Sequence, residues 1–508
     1  MTRAVRWAAV ALLVAVTVLV YAPALDASFQ FDDYNVILRD PRVQSLGAWA
    51  ASMPGMRPLL KLSYALNHEL GGGARGFRLL NVAIHALNAV LVLLLVGRLS
   101  SRHGLAARPA LGVAFAVALV FALHPAQTEA VTYVSGRSSA LVALGCLATM
   151  LAWLRAVEAS TAAARDIGAA VARIPARGWA ALFAALALAT KEAAVVLPLV
   201  LLLWVATTPG IGALRRMHGA PAGAGSTVPG AGEAPGHVPS GAAVVRASWP
   251  LLLVFAAVGV ALLSLAPYRE IIAASLARRG SWHNLLGNAE AIPWLAGQMF
   301  RIGAMNADPD LRVPGAPSPA LVLRLVVIAV VIAAALASRR RRPALAFGVL
   351  WFFVWLLPTH SVLPREDLAN DRQLYLALVG PAWLAVYGAW LALQGLRSRV
   401  PARVVASVAA TVIAALAVVL ASVTVARNRV YTTEVSFWED AARRSPHKAR
   451  TANNLGYAYA LACRDADALA AFARAAALDP ADSRSRVNYR LLEEGALFRD
   501  GERHCRVP

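Results

Sequence analysis

FRLLNVAIHALNAVLVLLLV, residues 77–96, decides the fold. Twenty consecutive, mostly apolar residues make a helix about 30 Å long, which matches the hydrocarbon thickness of a bilayer. The run ends at Arg98, Arg102, His103 and Arg108, a basic cluster of the kind that marks the inner end of a span. Outward from this stretch, similar runs recur to both ends of the chain. The first, over about 7–25, follows Arg3 and Arg6 and reads as a span with its N-terminus inside rather than as a cleaved leader. The others fall at about 110–123, 138–154, 179–190, 194–205, 249–265, 320–337, 343–357, 376–393 and 404–425. Arg339–Arg342 anchor one end of the 320–337 run inside. This direction holds only if 285–304 does not cross. That stretch is therefore predicted to be an outer re-entrant or interfacial element, rimmed by Arg301, Asp308 and Asp310. The expectation is eleven spans, N-terminus inside and C-terminus outside, in an all-α polytopic membrane protein.

Composition agrees. Of 508 residues, 59% are hydrophobic and 15% charged, against about a quarter charged in soluble domains. The net charge of +21 suggests nucleic acid, but the basic residues cluster between apolar runs as membrane insertion requires, so no nucleic-acid partner is expected. Cys146, Cys463 and Cys505 are too few and too scattered for a disulfide framework or a zinc site; a Cys463–Cys505 bridge stays open. The Gly/Pro/Ala-rich stretch 210–248 reads as a disordered inner loop. The Ala/Arg-rich usage is compatible with a bacterial inner membrane. The long loop 26–76 contains two amphipathic helical stretches, 46–53 and 58–70, suited to lying along the interface.

After Arg427 the pattern changes. In TANNLGYAYALACRDADALAAFARAAALDP, Leu455, Gly456, Tyr459, Ala468, Phe472, Ala475 and Pro480 fall at the offsets of a tetratricopeptide repeat. Trp438, Ala441 and Pro446 stand 34 residues before Phe472, Ala475 and Pro480 and match them in type. One repeat, a half-repeat and a trailing helix near 485–497 are fewer than a free-standing array needs, so this piece should lean on the membrane domain or on a partner. The division is 1–426 and 427–508.

On this topology the outer loops 26–76, 124–137, 267–319 and 358–374 collect the ionisable residues that invite a functional reading. Asp32, Asp33 and Glu129 are the carboxylates suited to general-base chemistry or a divalent metal ion. Arg57, His124, Arg137, Lys191, Glu192 and Arg372 are the candidate substrate-binding residues, the cations being suited to phosphate. Each has a structural alternative. The Asp-Asp pair would serve as a solvated turn and His124-Pro125 as a span cap. Lys191-Glu192 and Asp371-Arg372 read equally as local ion pairs. Asn81, His85 and Asn88 form a polar stripe that reads as interhelical hydrogen bonding rather than ligation. No HExxH, phosphate-binding P-loop or nucleophile elbow is present, so a lipid phosphate entering from the bilayer is a more natural substrate than a soluble nucleotide.

FDDY, RPLLKLSYALNHELGG, FRLLNVAIHALNAVLVLLL, HPAQTEAVTYVSGR, KEAAVVLP and DRQLYL follow one another along the chain. Together they resemble the transmembrane and tetratricopeptide-repeat O-mannosyltransferases (the TMTC family), which belong to the GT-C glycosyltransferases. The family usually has Glu-Arg where this chain has Asp371-Arg372, and its animal members carry many more repeats. The resemblance implies a GT-C-like bundle and transfer of a sugar, mannose first, from a polyprenyl-phosphate donor to a protein or glycan hydroxyl on the outer face. It implies Asp33 or Asp32 as catalytic base, the two left unseparated, and Glu129 holding the acceptor or a metal. Arg372, with Arg137 and Lys191, would hold the departing lipid phosphate. The reading set against it is a non-catalytic membrane scaffold that recruits a periplasmic partner through its repeat.

Overall fold

The computed structural model describes residues 2–162, 173–208, 241–361, 364–365, 367–397, 399–498, 503 and 505. All of its regular structure is helical among the described residues. Among the described residues, six helices are each long and apolar enough to cross a membrane: Arg3–Ala24, Gly73–Arg102, Val134–Ser160, Gly241–Ala261, Pro319–Ser338 and Ala402–Val430. Two further helix pairs, Ala107–Leu123 with Pro125–Val131 and Asp371–Ala377 with Val379–Leu396, are each bent by 53° and raise the number to 8 if each is one span. The first bend follows from Pro125, which biases His124 to an extended backbone (φ −72°, ψ 130°) and ends the preceding helix. Every run in the sequence expectation is helical. The helices Ala176–Thr190, Glu192–Ala206 and Pro343–Leu356 are, however, shorter than a full hydrocarbon thickness. The chain is a polytopic helical membrane protein.

Close packing in the bundle depends on small residues, as expected where lipid gives no hydrophobic drive between helices. The helix Arg137–Ala162 packs on Arg173–Thr190, where a Cβ on Gly145 would lie 2.8 Å from that of Ala187. Pro343–Leu356 and Val379–Leu396 meet reciprocally, through Gly348 against Leu384 and Gly380 against Trp351. The polar stripe lies inside the bundle. Asn88 donates to the Ala140 carbonyl at 2.8 Å and to the Tyr375 hydroxyl at 3.0 Å. His85 meets that hydroxyl at 2.7 Å and the Ala122 carbonyl at 3.1 Å. Since the carbonyl can only accept, His85 Nε2 carries the proton and Nδ1 accepts from Tyr375. The stripe is interhelical hydrogen bonding.

One loop assignment needs correction. Residues 267–319 carry the helices Ala266–Arg278 and Ser281–Gln298; the second runs through much of the expected re-entrant or interfacial element and is not among the helices long and apolar enough to cross a membrane. Of the expected loop 210–248, residues 210–240 lie outside the described residues. Residues 241–248 open the helix Gly241–Ser264, because the Ala/Val-rich sequence there carries no breaker before Pro250. In loop 26–76 both amphipathic stretches are helices, Leu46–Ala51 and Pro58–Leu70.

Beyond Val430 the described residues form four helices, Glu434–Arg444, Ala449–Leu461, Asp465–Leu478 and Arg484–Glu493. Thr433 caps the first, accepting from the Ser436 amide. Gly456 touches Phe472 so closely that a Cβ would lie 2.6 Å from the ring. Cys463 and Cys505 are disulfide-bonded, tying the tail to this helical stack. The stack rests on the loops of the bundle. Asp308 binds Lys448 at 2.5 Å and also pairs with Arg450, which in turn reaches Asp367 at 2.6 Å.

Candidate active site

Adjacent in sequence, Asp32 and Asp33 take different places. Asp33 is fully buried. Its Oδ1 accepts from the Ser135 amide at 2.8 Å and from the Ser135 hydroxyl, and its Oδ2 accepts from the Gln30 amide at 3.0 Å. Burial pushes its carboxyl up to about 6 against the opposing effect of these bonds. Asp33 thus latches the loop after the first helix to the turn before Arg137. Asp32 is only half-buried; its amide donates to the Tyr133 hydroxyl at 3.1 Å. Burial raises its carboxyl too, opposed first by the positive field of Arg372.

Arg372 is the hub. Its amide donates to Glu129 Oε2 at 2.9 Å and its Nε lies 3.5 Å from Glu129 Oε1. Glu129 is buried on the four-residue helix Thr128–Val131, and Gly136 packs on the Glu129 backbone so tightly that a Cβ would lie 2.0 Å from its carbonyl oxygen. This contact accounts for a glycine in the HPAQTEAVTYVSGR stretch. Arg372 also lines a cavity of about 470 Å³ together with Arg57, Lys191, Glu192 and Arg365. Val195, Leu199, Trp355 and Leu357 supply an apolar wall, and Val195 (59%) and Leu199 (45%) present their outer sides to the surroundings of the bundle.

The cations of this cavity outnumber their counter-charges. Glu192 is engaged by Arg57, through Nε at 3.1 Å and Nη2 at 2.8 Å. Lys191 is held by the Ser138 and Ser139 hydroxyls at 3.2 and 3.1 Å. Burial, and then the fields of Arg372, Arg57 and Arg365, lower its ammonium well below the ordinary lysine range. Arg365 is lowered by burial and by Arg372 and Arg57, and its guanidinium makes no hydrogen bond among the described residues. Three positive groups are thus held close together with unused donors, an arrangement that favours an anion.

The structure therefore brings together Arg57, Lys191, Glu192 and Arg372 around one cavity, with Glu129 beside Arg372; Asp32 does not line that cavity and is linked to Arg372 only through its field. Arg137 does not join them. It is fully buried, and donates through Nε to Asn81 Oδ1 at 2.7 Å, through Nη1 to the Ser63 carbonyl at 3.0 Å and through Nη2 to the Phe77 carbonyl at 2.9 Å. Its guanidinium lies over the Tyr64 and Phe77 rings, so no donor face is left for phosphate. His124 is likewise engaged, its Nδ1 accepting from the Ala126 amide and its Nε2 donating to the Met299 carbonyl, both at 3.2 Å. It caps the turn at the bend. Asp32, Asp33 and Glu129 do not converge as a metal site; no group of three or more His, Cys, Asp or Glu does so among the described residues. Arg365 is the residue that sequence reasoning left without a role. Only its repulsive neighbours, set by tertiary contacts, single it out.

Known proteins match part of the chain. Protein O-mannosyl-transferase TMTC4 of Mus musculus is 31% identical over 169 residues, 28% of this chain and 22% of that protein. Protein O-mannosyl-transferase Tmtc2 of Drosophila melanogaster is 30% identical over 152 residues, 27% of this chain and 15% of that protein. Protein O-mannosyl-transferase TMTC1 of Mus musculus is 30% identical over 167 residues, 30% of this chain and 17% of that protein. The chain thus spans less than a quarter of the length of these relatives. No family model and no solved structure matches. Over the matched stretch, the chain is a relative of the TMTC family of protein O-mannosyl-transferases.

Proposed function

We propose that this chain is a GT-C-type membrane glycosyltransferase. It moves a sugar, mannose as the first candidate, from a polyprenyl-phosphate donor to a protein Ser/Thr hydroxyl on the outer face of the membrane. The observation that carries this reading is the cavity, in which Arg57, Lys191, Arg365 and Arg372 stand beside an apolar wall whose Val195 and Leu199 face outward. A phosphate would sit among the cations while its isoprenoid chain leaves along the apolar side. The relatives' names support sugar transfer to protein.

In the reaction, Asp32 takes the proton of the acceptor hydroxyl as its oxygen attacks the anomeric carbon. The bond from that carbon to the phosphate oxygen breaks with its electron pair, leaving polyprenyl phosphate and an inverted linkage. Arg372, Lys191 and Arg365 offer donors to the oxygens on which charge grows, a contribution of about 10²–10³ in rate per well-placed donor. Glu129 orients Arg372. Asp32 is the better base of the pair, since the oxygens of Asp33 are already occupied by Ser135 and Gln30. The region 427–508 is read as a tetratricopeptide-repeat domain on the periplasmic side of a bacterial inner membrane, and 1–426 as the transferase domain.

The test is transfer in membranes holding the full chain, given radiolabelled polyprenyl-phosphate mannose and, separately, other lipid-linked sugars. Wild type should release label from lipid. Asp32→Asn should lose about 10²-fold or more in rate while remaining folded. Equal turnover by wild type and Asp32→Asn would remove the base assignment. No turnover with any donor would favour a scaffold.

A further inference from the structure

The backbone that carries Asp32 is held by residues from the other end of the chain. Phe31, immediately before it, has φ +40°, a left-handed conformation that is costly for a bulky side chain and persists only when its surroundings enforce it. The Phe31 amide donates to Glu434 Oε1 at 2.9 Å. The Phe31 ring meets Trp438 edge to face, with centroids 5.3 Å apart and planes at 78°. On the preceding residues, the Ser28 amide donates to the Thr432 carbonyl at 3.0 Å and Gln30 Nε2 donates to the Tyr431 carbonyl at 3.0 Å. All four partners fall within 431–438, directly after the helix Ala402–Val430. On the following residue, Asp33 is latched to Ser135. The turn is therefore gripped on both sides of Asp32, and the unusual backbone at Phe31 is enforced by Glu434 and Trp438.

Nothing in the reaction as drawn uses this clamp. Among the described residues, Glu434 makes its contact as a hydrogen-bond acceptor to a single amide and does not line the cavity. We infer that Glu434 is a positioning residue for Asp32. It fixes the Phe31 amide, and with it the backbone from which the Asp32 carboxylate departs. The start of the C-terminal helical stack is on this account a structural part of the site rather than an appended module. The inference rests on the transferase reading given above.

The experiment uses the full chain in lipid nanodiscs as wild type, Glu434→Ala and Glu434→Gln. Two quantities are read: amide hydrogen exchange over residues 28–36 without substrate, and kcat and KM for the lipid-linked sugar. Glu434→Ala should speed exchange at Phe31 at least about tenfold and lower kcat at least about tenfold, with KM within about twofold of wild type. Glu434→Gln keeps the accepting oxygen and should restore both to within about threefold. Faster exchange with unchanged kcat overturns the inference, as does exchange unaltered by Glu434→Ala. Loss of kcat that Glu434→Gln does not rescue also overturns it. If Glu434→Ala is not recovered folded, Trp438→Leu removes the ring contact alone. It should raise exchange by roughly threefold and lower kcat in step; unchanged kcat again overturns the proposal. A wild-type chain that turns over no donor overturns the transferase reading and with it the role of Asp32. That failure is distinguishable because the exchange comparison needs no substrate.

Discussion

Two charged regions lie side by side at this end of the bundle, and they treat charge in opposite ways. Around Asp33 and Arg137 every charged atom is used. Asp33 accepts from Ser135 and Gln30, and Arg137 donates to Asn81, Ser63 and Phe77 from all three nitrogens. Around Arg57, Lys191, Arg365 and Arg372 the positive groups crowd one another with few counter-charges, beside a cavity large enough for a ligand. Both regions contain residues that look alike in sequence. A buried ion with its bonding filled holds the fold together; one with unfilled bonding, held beside like charge, awaits a partner.

The sharpest way to break this comparison is to exchange the roles of two arginines. Arg137→Met strands the Asn81 side-chain oxygen in a buried place, at about 1–3 kcal/mol, and removes the arginine's bonds to the Ser63 and Phe77 carbonyls, which sit inside helices. A loss of stability of about 2–4 kcal/mol is expected. Arg365→Met removes a guanidinium without hydrogen-bond partners among the described residues and should change stability by less than about 1 kcal/mol while weakening donor binding. Thermal unfolding in detergent reads both. Similar losses from the two variants would end the distinction.

Gly136→Ala should rank next. Its added methyl would meet the Glu129 carbonyl at a separation no real contact shows, so the backbone must move. A destabilisation of about 1–3 kcal/mol is expected. Because the shift is imposed on the segment that carries Glu129, transfer should fall more than stability alone explains. A Gly136→Ala chain with full activity would detach Glu129 from the site.

The pH dependence separates the regions by a different route. The Asp33 carboxyl titrates at about 6 in the fold, against an ordinary value of 3.8, and Glu434 is raised by burial from 4.5 to about 7. Both groups hold a proton more tightly when folded. Their contribution to stability is therefore complete below about pH 4 and is lost as pH rises through 6 and 7. For Asp33 alone this is roughly 3 kcal/mol. Melting temperature measured against pH should fall across this window, and less steeply in Glu434→Gln. A flat profile would contradict the burial that raises these groups.

Much of this fold was legible beforehand, because the apolar runs and the basic clusters between them are one-dimensional signals. Each run became a helix where expected. Length was harder to read. The three short helices fill the bundle without reaching full bilayer thickness, and hydropathy does not report that one of them opens with the tighter 3₁₀ segment Glu192–Val196. The site was legible as a set of charges but not as a division of labour. Nothing in the sequence separates Asp32 from Asp33, or Arg137 from Arg372. What separates them is which atoms come into reach across more than a hundred residues, as Ser135 does for Asp33 and Glu129 for Arg372. Arg365 and Glu434 were missed as site residues for the same reason: one is defined by its repulsive neighbours and the other by an amide about four hundred residues away.

The smallest expected effect bears most directly on which region is the ligand site. Lys191 stands among Arg372, Arg57 and Arg365, and their fields oppose its charge. Its polar partners are two serine hydroxyls, which lose little when the ammonium is removed. Lys191→Met should therefore leave the melting temperature unchanged or raise it, by no more than about 1 kcal/mol in stability, since like-charge repulsion is relieved and an apolar chain of similar length remains. A ligand that binds the folded state stabilises it in proportion to how far its concentration exceeds its dissociation constant. Added polyprenyl phosphate should thus raise the melting temperature of wild type more than that of Lys191→Met, reversing the order of the two proteins. If the phosphate stabilises both equally, Lys191 is a solvated charge and the anion binds elsewhere. If Lys191→Met is strongly destabilised without ligand, Lys191 belongs with Arg137 among the residues that hold the fold.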